Sequence, residues 1–256
     1  MSVLAVALGG LIVGLLVGLV GVGGGTLVTP VMVLLGLPPS LAVGTDLLYA
    51  TGTKLAGSLQ HWRLHSVDFA WAAALCVGGV PGATAGSLLV SALKARDPGA
   101  EVLLGHLLGA ALMLAALATL AQEFAQRRGR AGAAPAPEPG PRPPWLAVVP
   151  FGLAIGLLVG VTSVGSGSLV APVLLLARLA PRRVVGTDIA SSLLITVAAS
   201  VIHMATGTVN YGLALNLMAG SVPGVIIGSR LTLKVPGRPL KALVSGLVLV
   251  SGLLLL

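Results

Sequence analysis

The sequence repeats itself once, without gaps, at an offset of 142 residues. Residues 14–18 return as 156–160, residues 44–46 as 186–188, His61 as His203, and residues 81–82 as 223–224. A duplicated sequence predicts that the same set of secondary-structure elements occurs twice in the fold. We therefore predict a first repeat at 1–122, a linker rich in Pro, Ala and Arg at 123–144, and a second repeat at 145–256.

Both copies are too apolar to fold as soluble domains. Hydrophobic residues make up 56% of the chain and charged residues 9%, and the mean hydropathy is +1.04. Too little polar surface is available to cover a globule of this size. Several apolar runs approach the roughly 20 residues that a membrane-spanning helix needs, and they lack the alternation of barrel strands. The expected fold class is all-α, a polytopic integral membrane protein with the lipid bilayer as its surroundings.

Composition also excludes several functions. The net charge of +8 would suggest nucleic acid in a soluble protein, but aromatic stacking residues are only 3% of the chain, so we expect no nucleic-acid partner. The single cysteine, Cys76, cannot form an internal disulfide. We expect neither a cofactor nor a metal, and the sequence carries no signal for an oligomeric state. The N-terminus lacks a basic region before its apolar run, so we expect it to be retained.

Each half contains five apolar segments, and the second is too short to cross a membrane. The segments are 3–20, 25–36, 41–60, 69–93 and 102–121 in the first half, and 145–162, 167–179, 184–203, 211–233 and 240–256 in the second. About 12 residues give only about 18 Å of helix against a hydrocarbon core of about 30 Å. Each short segment follows a glycine-rich break, at 21–25 and 163–167. We predict a broken or re-entrant helical hairpin with its turn at membrane depth.

The distribution of basic residues predicts the topology. If each hairpin changes sides an even number of times, twelve Lys and Arg residues fall on one side and two on the other. If the short segment instead completes the first span, the division is nine to five. The first arrangement fits the positive-inside rule better. It makes the two copies inverted repeats in the inner (cytoplasmic) membrane, with the linker in the cytoplasm and both termini outside.

Inversion would bring the two glycine-rich turns together near the midplane. A helix that begins at Gly25 or Gly167 would point its unpaired amides at an anion, and Thr26 or Ser168 would add a hydroxyl donor. The predicted substrate-binding residues in the turns are Gly23, Gly24, Gly25, Thr26, Gly165, Ser166, Gly167 and Ser168. Glycines can instead serve close helix packing, an alternative that suits Gly14, Gly18, Gly156 and Gly160 better.

Ionisable residues inside the apolar segments are the other candidates. Asp46 and Asp188, which follow Thr45 and Thr187, are candidates for proton coupling or gating, with helix capping as the alternative. Lys54 has Thr196 as its repeat partner. It is a candidate to complement the bound anion, to pair with an aspartate across helices or to change protonation during transport, unless it extends towards the interface.

His61 and His203 occupy equivalent positions near the ends of their segments. Their location favours helix caps or interface anchors, with proton coupling as the other possibility.

The order of these motifs closely resembles the TauE/SafE sulfite exporter family. The residues that carry the resemblance are 14–18, 21–30, 42–48, 53–54, 61–63 and 67–68. It implies a polytopic transporter, not an enzyme, that exports sulfite, organosulfonates or related small anions, which agrees with the predicted anion site. The second copy departs from the pattern with Ser163 for Gly21, Ser166 for Gly24 and Thr196 for Lys54, so we expect an asymmetric site.

Two mechanisms fit this resemblance and the residues. A secondary transporter would alternate access between its inverted repeats, with Asp46, Asp188 or the histidines coupling protons. A passive anion channel of the same fold is the alternative. An enzyme would need a nucleophile with a base, or a metal cluster, and the few ionisable residues do not assemble either.

Overall fold

The chain folds into α-helices throughout its described part. The computed structural model describes residues 3–20, 25–97, 99–129, 142–165, 167–231 and 237–256. In these ranges the helices are α1 (Val3–Val20), α2 (Gly25–Leu34), α3 (Pro39–Arg63), α4 (Phe69–Arg96), α5 (Ala100–Gly129), α6 (Trp145–Thr162), α7 (Val170–Leu176), α8 (Pro181–Ala205), α9 (Tyr211–Leu231) and α10 (Gly237–Leu254). The predicted all-α class is confirmed.

Several helices are long and apolar enough to cross a membrane. Among the described residues five meet that description, at Phe69–Arg96, Ala100–Gln122, Trp145–Thr162, Arg183–Ala205 and Tyr211–Gly228. Shorter apolar helices lie at Leu4–Val17, Gly25–Leu34 and Val244–Leu254. The prediction of a multi-pass membrane protein is therefore confirmed.

Helix starts follow from local chemistry and match between the halves. α3 and α8 begin at Pro39 and Pro181, where proline suits the first turn because its missing N–H needs no partner there. Asp68 caps α4 by accepting from the amides of Ala70 and Trp71 at 3.2 and 3.3 Å.

Two predicted boundaries are wrong. α5 continues to Gly129, so residues 123–129 are helix and not the start of the linker. Good helix formers occupy most of that stretch, and the proline-rich run begins only at Pro135. α7 begins at Val170 and not at Gly167, because Gly165 and Gly167 have φ values of 139° and 82°, which no helix can contain.

The two halves exchange one helix each. α1 packs most closely against α9, and α4 against α6. A Cβ on Gly10 of α1 would overlap the carbonyl oxygen of Leu217, and a Cβ on the equivalent Gly152 of α6 would lie 2.5 Å from that of Leu75. Since Leu75 and Leu217 are themselves equivalent, the two interfaces are copies of each other.

For several glycines at these interfaces, the sequence favoured close helix packing over a role in anion binding. A Cβ on Gly14 would overlap the backbone of Ser221, and one on Gly156 or Gly160 would overlap the backbone of α4. The packing role is therefore confirmed for these three glycines.

The hydrophobic core divides according to this exchange. We call α1, α2, α3 and α9 the first bundle, because Val6, Val28, Tyr49 and Leu217 form one cluster. We call α6, α7, α8 and α4 the second bundle, whose cluster includes Val148, Leu174, Ile195 and Leu75. Val43 and Leu47 of α3 also belong to this second cluster, so α3 packs against both bundles. A third cluster joins α5 and α10 to the end of α6 and to α2.

Equivalent helices meet in antiparallel pairs between the bundles. Gly44, early in α3, lies against Thr208 just after α8, and Gly186, early in α8, lies against Ser66 just after α3. α5 and α10 pack through Gly109 and Gly252. Antiparallel pairing of equivalent helices is the relation that inverted copies would show.

Candidate functional site

Asp46 on α3 is the centre of a buried polar cluster. The hydroxyl of Thr29 on α2 donates to its Oδ2 at 2.8 Å, and the hydroxyl of Ser163 donates to the same oxygen. Asp46 is fully buried, and its Oδ1 has no hydrogen-bond partner among the described residues. The cluster joins the end of α6 to the first bundle, so Asp46 links the two halves.

The geometry of the second turn explains how Ser163 reaches Asp46. Ser163 caps the C-terminus of α6 in the left-handed conformation at φ 62°, with its amide donating to the carbonyl of Val159 at 2.7 Å. A Cβ on Gly25 would overlap the carbonyl oxygen of Ser163 and lie 2.8 Å from Oδ2 of Asp46. The structure thus brings Gly25 of the first turn and Ser163 of the second into contact.

Asp188 on α8 binds its own turn. The amide of Gly167 donates to its Oδ1 at 3.1 Å. This amide was predicted to point at an anion from a helix N-terminus. In the structure this amide donates to a carboxylate of the same half, and the helix begins three residues later, so the predicted helix start at Gly167 is wrong. Anion binding by Gly167 stays a prediction.

Thr26 and Ser168 line one small cavity. These equivalent residues are 2% and 3% exposed, and the cavity between them is about 10 Å³, space for about one water molecule. Thr119 of α5 and Ser245 of α10 add two further buried hydroxyls to its wall. The Ser168 Oγ has no partner within the described ranges. The two turns therefore each contribute a residue to the wall of the same space.

Lys54 lies deeper in α3 and is half-buried. It interacts electrostatically with Asp188 and with Asp46, from opposite halves. Its repeat partner Thr196 is fully buried and donates to the carbonyls of Ser192 and Leu193 at 2.8 and 3.0 Å. The expected asymmetry between the copies is present in the environment of these two positions.

The histidines hold the ends of their helices. His203 is fully buried, with Nε2 3.0 Å from the carbonyl of Gly160 and Nδ1 2.7 Å from the hydroxyl of Thr208. This network assigns the ring proton to Nε2, because a carbonyl can only accept. The half-buried His61 makes the equivalent contact from Nδ1 to Ser66 at 2.8 Å. Both contacts favour the anchoring alternative, and proton coupling by the histidines stays a prediction.

Thr45 and Thr187 tie each half to the other. The Thr45 hydroxyl accepts from the amide of Asn210 at 2.9 Å, and the Thr187 hydroxyl accepts from the amide of Asp68 at 2.9 Å. These residues were predicted to serve gating or proton coupling. In the structure they hold the starts of α9 and α4 against α3 and α8.

Some residues of the site were missed or lie outside it. Thr29, Thr119 and Ser245 were not singled out, although Thr29 follows Gly25 by one helical turn and so shares its face. Gly23, Gly24 and Ser166 lie outside the described residues. In the described ranges, no three His, Cys, Asp or Glu side chains come together in a way that could hold a metal ion.

Comparison with known proteins gives matches over nearly the whole chain. The family model for "Sulfite exporter TauE/SafE" matches residues 6–255. The probable membrane transporter protein YjnA of Bacillus subtilis (strain 168) is 40% identical over 262 residues, covering 98% of this chain and 99% of that protein.

More distant relatives carry the same description. The probable membrane transporter proteins YunE and YdhB of Bacillus subtilis (strain 168) are 28% and 26% identical. The alignments cover 91% and 96% of this chain, and 90% and 96% of those proteins. No solved structure matches.

Proposed function

The chain belongs to the sulfite exporter TauE/SafE family and is a membrane transporter, not an enzyme, and from this premise we propose that it exports small sulfur-containing anions such as sulfite or organosulfonates. The transport is secondary, and protons are the proposed coupling ion. The family name supports the substrate class, and the site supports an anion.

One observation carries the anion site: Thr26 and Ser168, equivalent residues of the two copies, line the same buried cavity. Hydroxyls from α5 and α10 complete its wall. α2 begins at Gly25, beside Thr26, so the positive end of its dipole points into this region. Neutral donors and a helix N-terminus suit the oxygens of an oxyanion. The second half contributes the Ser168 hydroxyl, since α7 begins too late to contribute its amides.

The cavity is closed in this arrangement. A space for about one water molecule cannot hold a sulfur oxyanion with three or more oxygens, so binding requires its walls to separate. The walls belong to the pair α5 and α10 and to the two turns. We propose that this closed state lies between states open to either side.

Alternating access is proposed to move the bundles, not the sequence repeats. The predicted motion was one repeat against the other. Each repeat, however, gives one helix to the other bundle through glycine contacts with backbone, which are costly to separate. Movement of the first bundle against the second, along the α3–α8 pair, leaves those seams intact. Asp46 and Lys54 lie at this boundary. The proposed orientation, with the linker in the cytoplasm and both termini outside, is supported by the charge distribution.

The binding site is tested by thermal unfolding of the purified protein with sulfite, sulfate, thiosulfate, sulfoacetate or taurine. A ligand at about 100 times its Kd adds about 2.7 kcal/mol of stability, so the correct anion raises the Tm. Ser168→Ala should remove the shift. Ser91→Ala should keep it, since Ser91 bonds only within α4.

The cavity is refuted as the site if Ser168→Ala responds to an anion as the wild type does. The sulfur-anion assignment is refuted if none of the five ligands changes the Tm. Sulfite flux that responds to the membrane potential but not to the pH gradient would favour the passive channel.

A further inference from the structure

The interface between α3 and α8 contains two buried aspartates and one lysine. Asp46 and Asp188 occupy equivalent positions in the repeat, whereas the position equivalent to Lys54 is Thr196. The duplication has therefore preserved both carboxyls but only one ammonium. Asp46 is fully buried and Asp188 is 6% exposed, so water screens neither carboxyl strongly.

The antiparallel register places Lys54 between the two carboxyls. Gly57 of α3 packs beside Ile189 of α8, with 3.4 Å from its Cβ position to the Cγ2 of Ile189. Gly186, two residues before Asp188, lies against Ser66 just after α3, so both contacts place Asp188 level with the last part of α3, beyond Lys54. Asp46 lies eight residues from Lys54, about 12 Å along the helix in the other direction. Lys54 is within electrostatic range of both carboxyls.

Uncharged polar groups surround this trio. Thr29 and Ser163 bind Asp46, and the Gly167 amide binds Asp188. Along α8, the buried hydroxyls of Ser192 and Thr196 lie between the levels of the two aspartates.

Other ionisable groups on these and the adjoining helices lie apart from Asp46, Lys54 and Asp188 or contact other partners. Tyr49 is buried on α3 one turn from Asp46, and Cys76 on α4 contacts the Ser191 carbonyl. His203 and His61 hold helix ends. Arg183 pairs with Asp68, Glu101 with Lys94, and Arg63 and Tyr211 lie at the end of α3 and the start of α9.

We propose that Asp46, Lys54 and Asp188 form one charge-balanced unit that holds a single proton shared between the two aspartates. Two carboxylates and one ammonium would leave one negative charge buried in the membrane, which is costly. One bound proton removes it. The aspartate that pairs with Lys54 is ionised, and the other carries the proton.

The unit supplies a coupling step if the bundles slide against each other. Movement of α3 relative to α8 that carries Lys54 away from Asp188 leaves it paired with Asp46 on its own helix, and Asp46 releases its proton to water. Asp188 then takes up a proton from water, and the buried charge stays balanced. Since the two aspartates lie on either side of Lys54 along the interface, release and uptake occur at different depths. This step rests on the proposed transport function, whereas the shared proton does not.

The shared proton is tested by infrared spectroscopy of the full-length protein in lipid nanodiscs at neutral pH, without ligand. The signal is the C=O stretch of a protonated carboxyl, measured as the difference from an Asp46→Asn/Asp188→Asn double variant. Charge balance predicts one protonated carboxyl in the wild type. It predicts loss of the band in both Asp46→Asn and Asp188→Asn, because the remaining aspartate then pairs with Lys54. Lys54→Met should roughly double the band.

Other patterns overturn the proposal. These are absence of the band in the wild type, its survival in Asp46→Asn or Asp188→Asn, or an unchanged band in Lys54→Met. If Lys54→Met does not fold, the two asparagine variants decide alone, since independent carboxyls would leave the band in one of them. Glu101→Gln, which alters a carboxyl paired with Lys94, is the control and should change nothing. Failure of sulfite transport would contradict the proposed function without affecting this result.

Discussion

Gly10→Ala should destabilise the protein, whereas the neighbouring Gly9→Ala should not. A Cβ on Gly10 would overlap the Leu217 carbonyl oxygen and lie 3.1 Å from the Leu217 Cα and carbonyl carbon. These are backbone atoms of α9 and cannot rotate away, so α1 and α9 must separate. A Cβ on Gly9 meets nothing within 4 Å.

The two variants together isolate the packing cost. Replacing glycine by alanine inside a helix favours the helix by about 1 kcal/mol, and this gain is the same at both positions. Overpacking a close contact costs typically about 1–3 kcal/mol. Gly10→Ala should therefore be about 1–3 kcal/mol less stable than Gly9→Ala, a difference of roughly 2–12 °C in Tm for a chain of this size.

The assay is thermal unfolding of the two variants in the same detergent, followed by tryptophan fluorescence and by the loss of monodisperse protein on size-exclusion chromatography. Gly152→Ala, the repeat equivalent of Gly10→Ala, should behave similarly because its Cβ would lie 2.5 Å from the Leu75 carbonyl oxygen. Equal stability of Gly10→Ala and Gly9→Ala would refute the exchanged packing of α1 on α9.

Two further substitutions test the cluster and the motion. Ser163→Ala removes a hydrogen bond to the buried Asp46 carboxyl and should lower the free energy of unfolding by about 1.5–3 kcal/mol. Ser91→Ala is the control and should leave the Tm unchanged. Equal Tm values for the two variants would show that the bond contributes nothing. In a Cys76→Ala background, an oxidised Gly57→Cys/Ile189→Cys pair joins the two bundles and should stop sulfite flux until reduced. An oxidised Gly52→Cys/Met218→Cys pair lies within the first bundle and should leave the flux intact; the reverse pattern would contradict bundle motion.

The sequence predicted the elements of the fold better than their arrangement. Long apolar runs and glycine breaks predict most helix boundaries, because backbone amides and carbonyls in lipid must hydrogen-bond within the protein, and a helix satisfies them within one segment. The start of α7 was misplaced, since the positive φ values of Gly165 and Gly167 depend on how the turn packs. A repeat offset also cannot tell which copies pack together, so the exchange of α4 and α9 was not predictable.

The site was predictable in part for the same reason. Thr26 and Ser168 followed from the repeat and the turns, and the structure places both at one cavity. Thr119 and Ser245 gave no signal, because single hydroxyl residues are common in membrane helices and only tertiary packing brings these two to the cavity. Ser163 stood out as a departure from the first copy, but its bond to Asp46 depends on a left-handed cap that the sequence alone does not specify.

Flux of radiolabelled sulfite in proteoliposomes tests the central claim most directly, with the wild type compared with Ser168→Ala and with Ser91→Ala. We predict that the wild type and Ser91→Ala move sulfite across the membrane at similar rates and that Ser168→Ala is strongly impaired. Ser168→Ala flux equal to that of the wild type, or no wild-type flux above protein-free vesicles, would contradict sulfite transport through the cavity between the two turns.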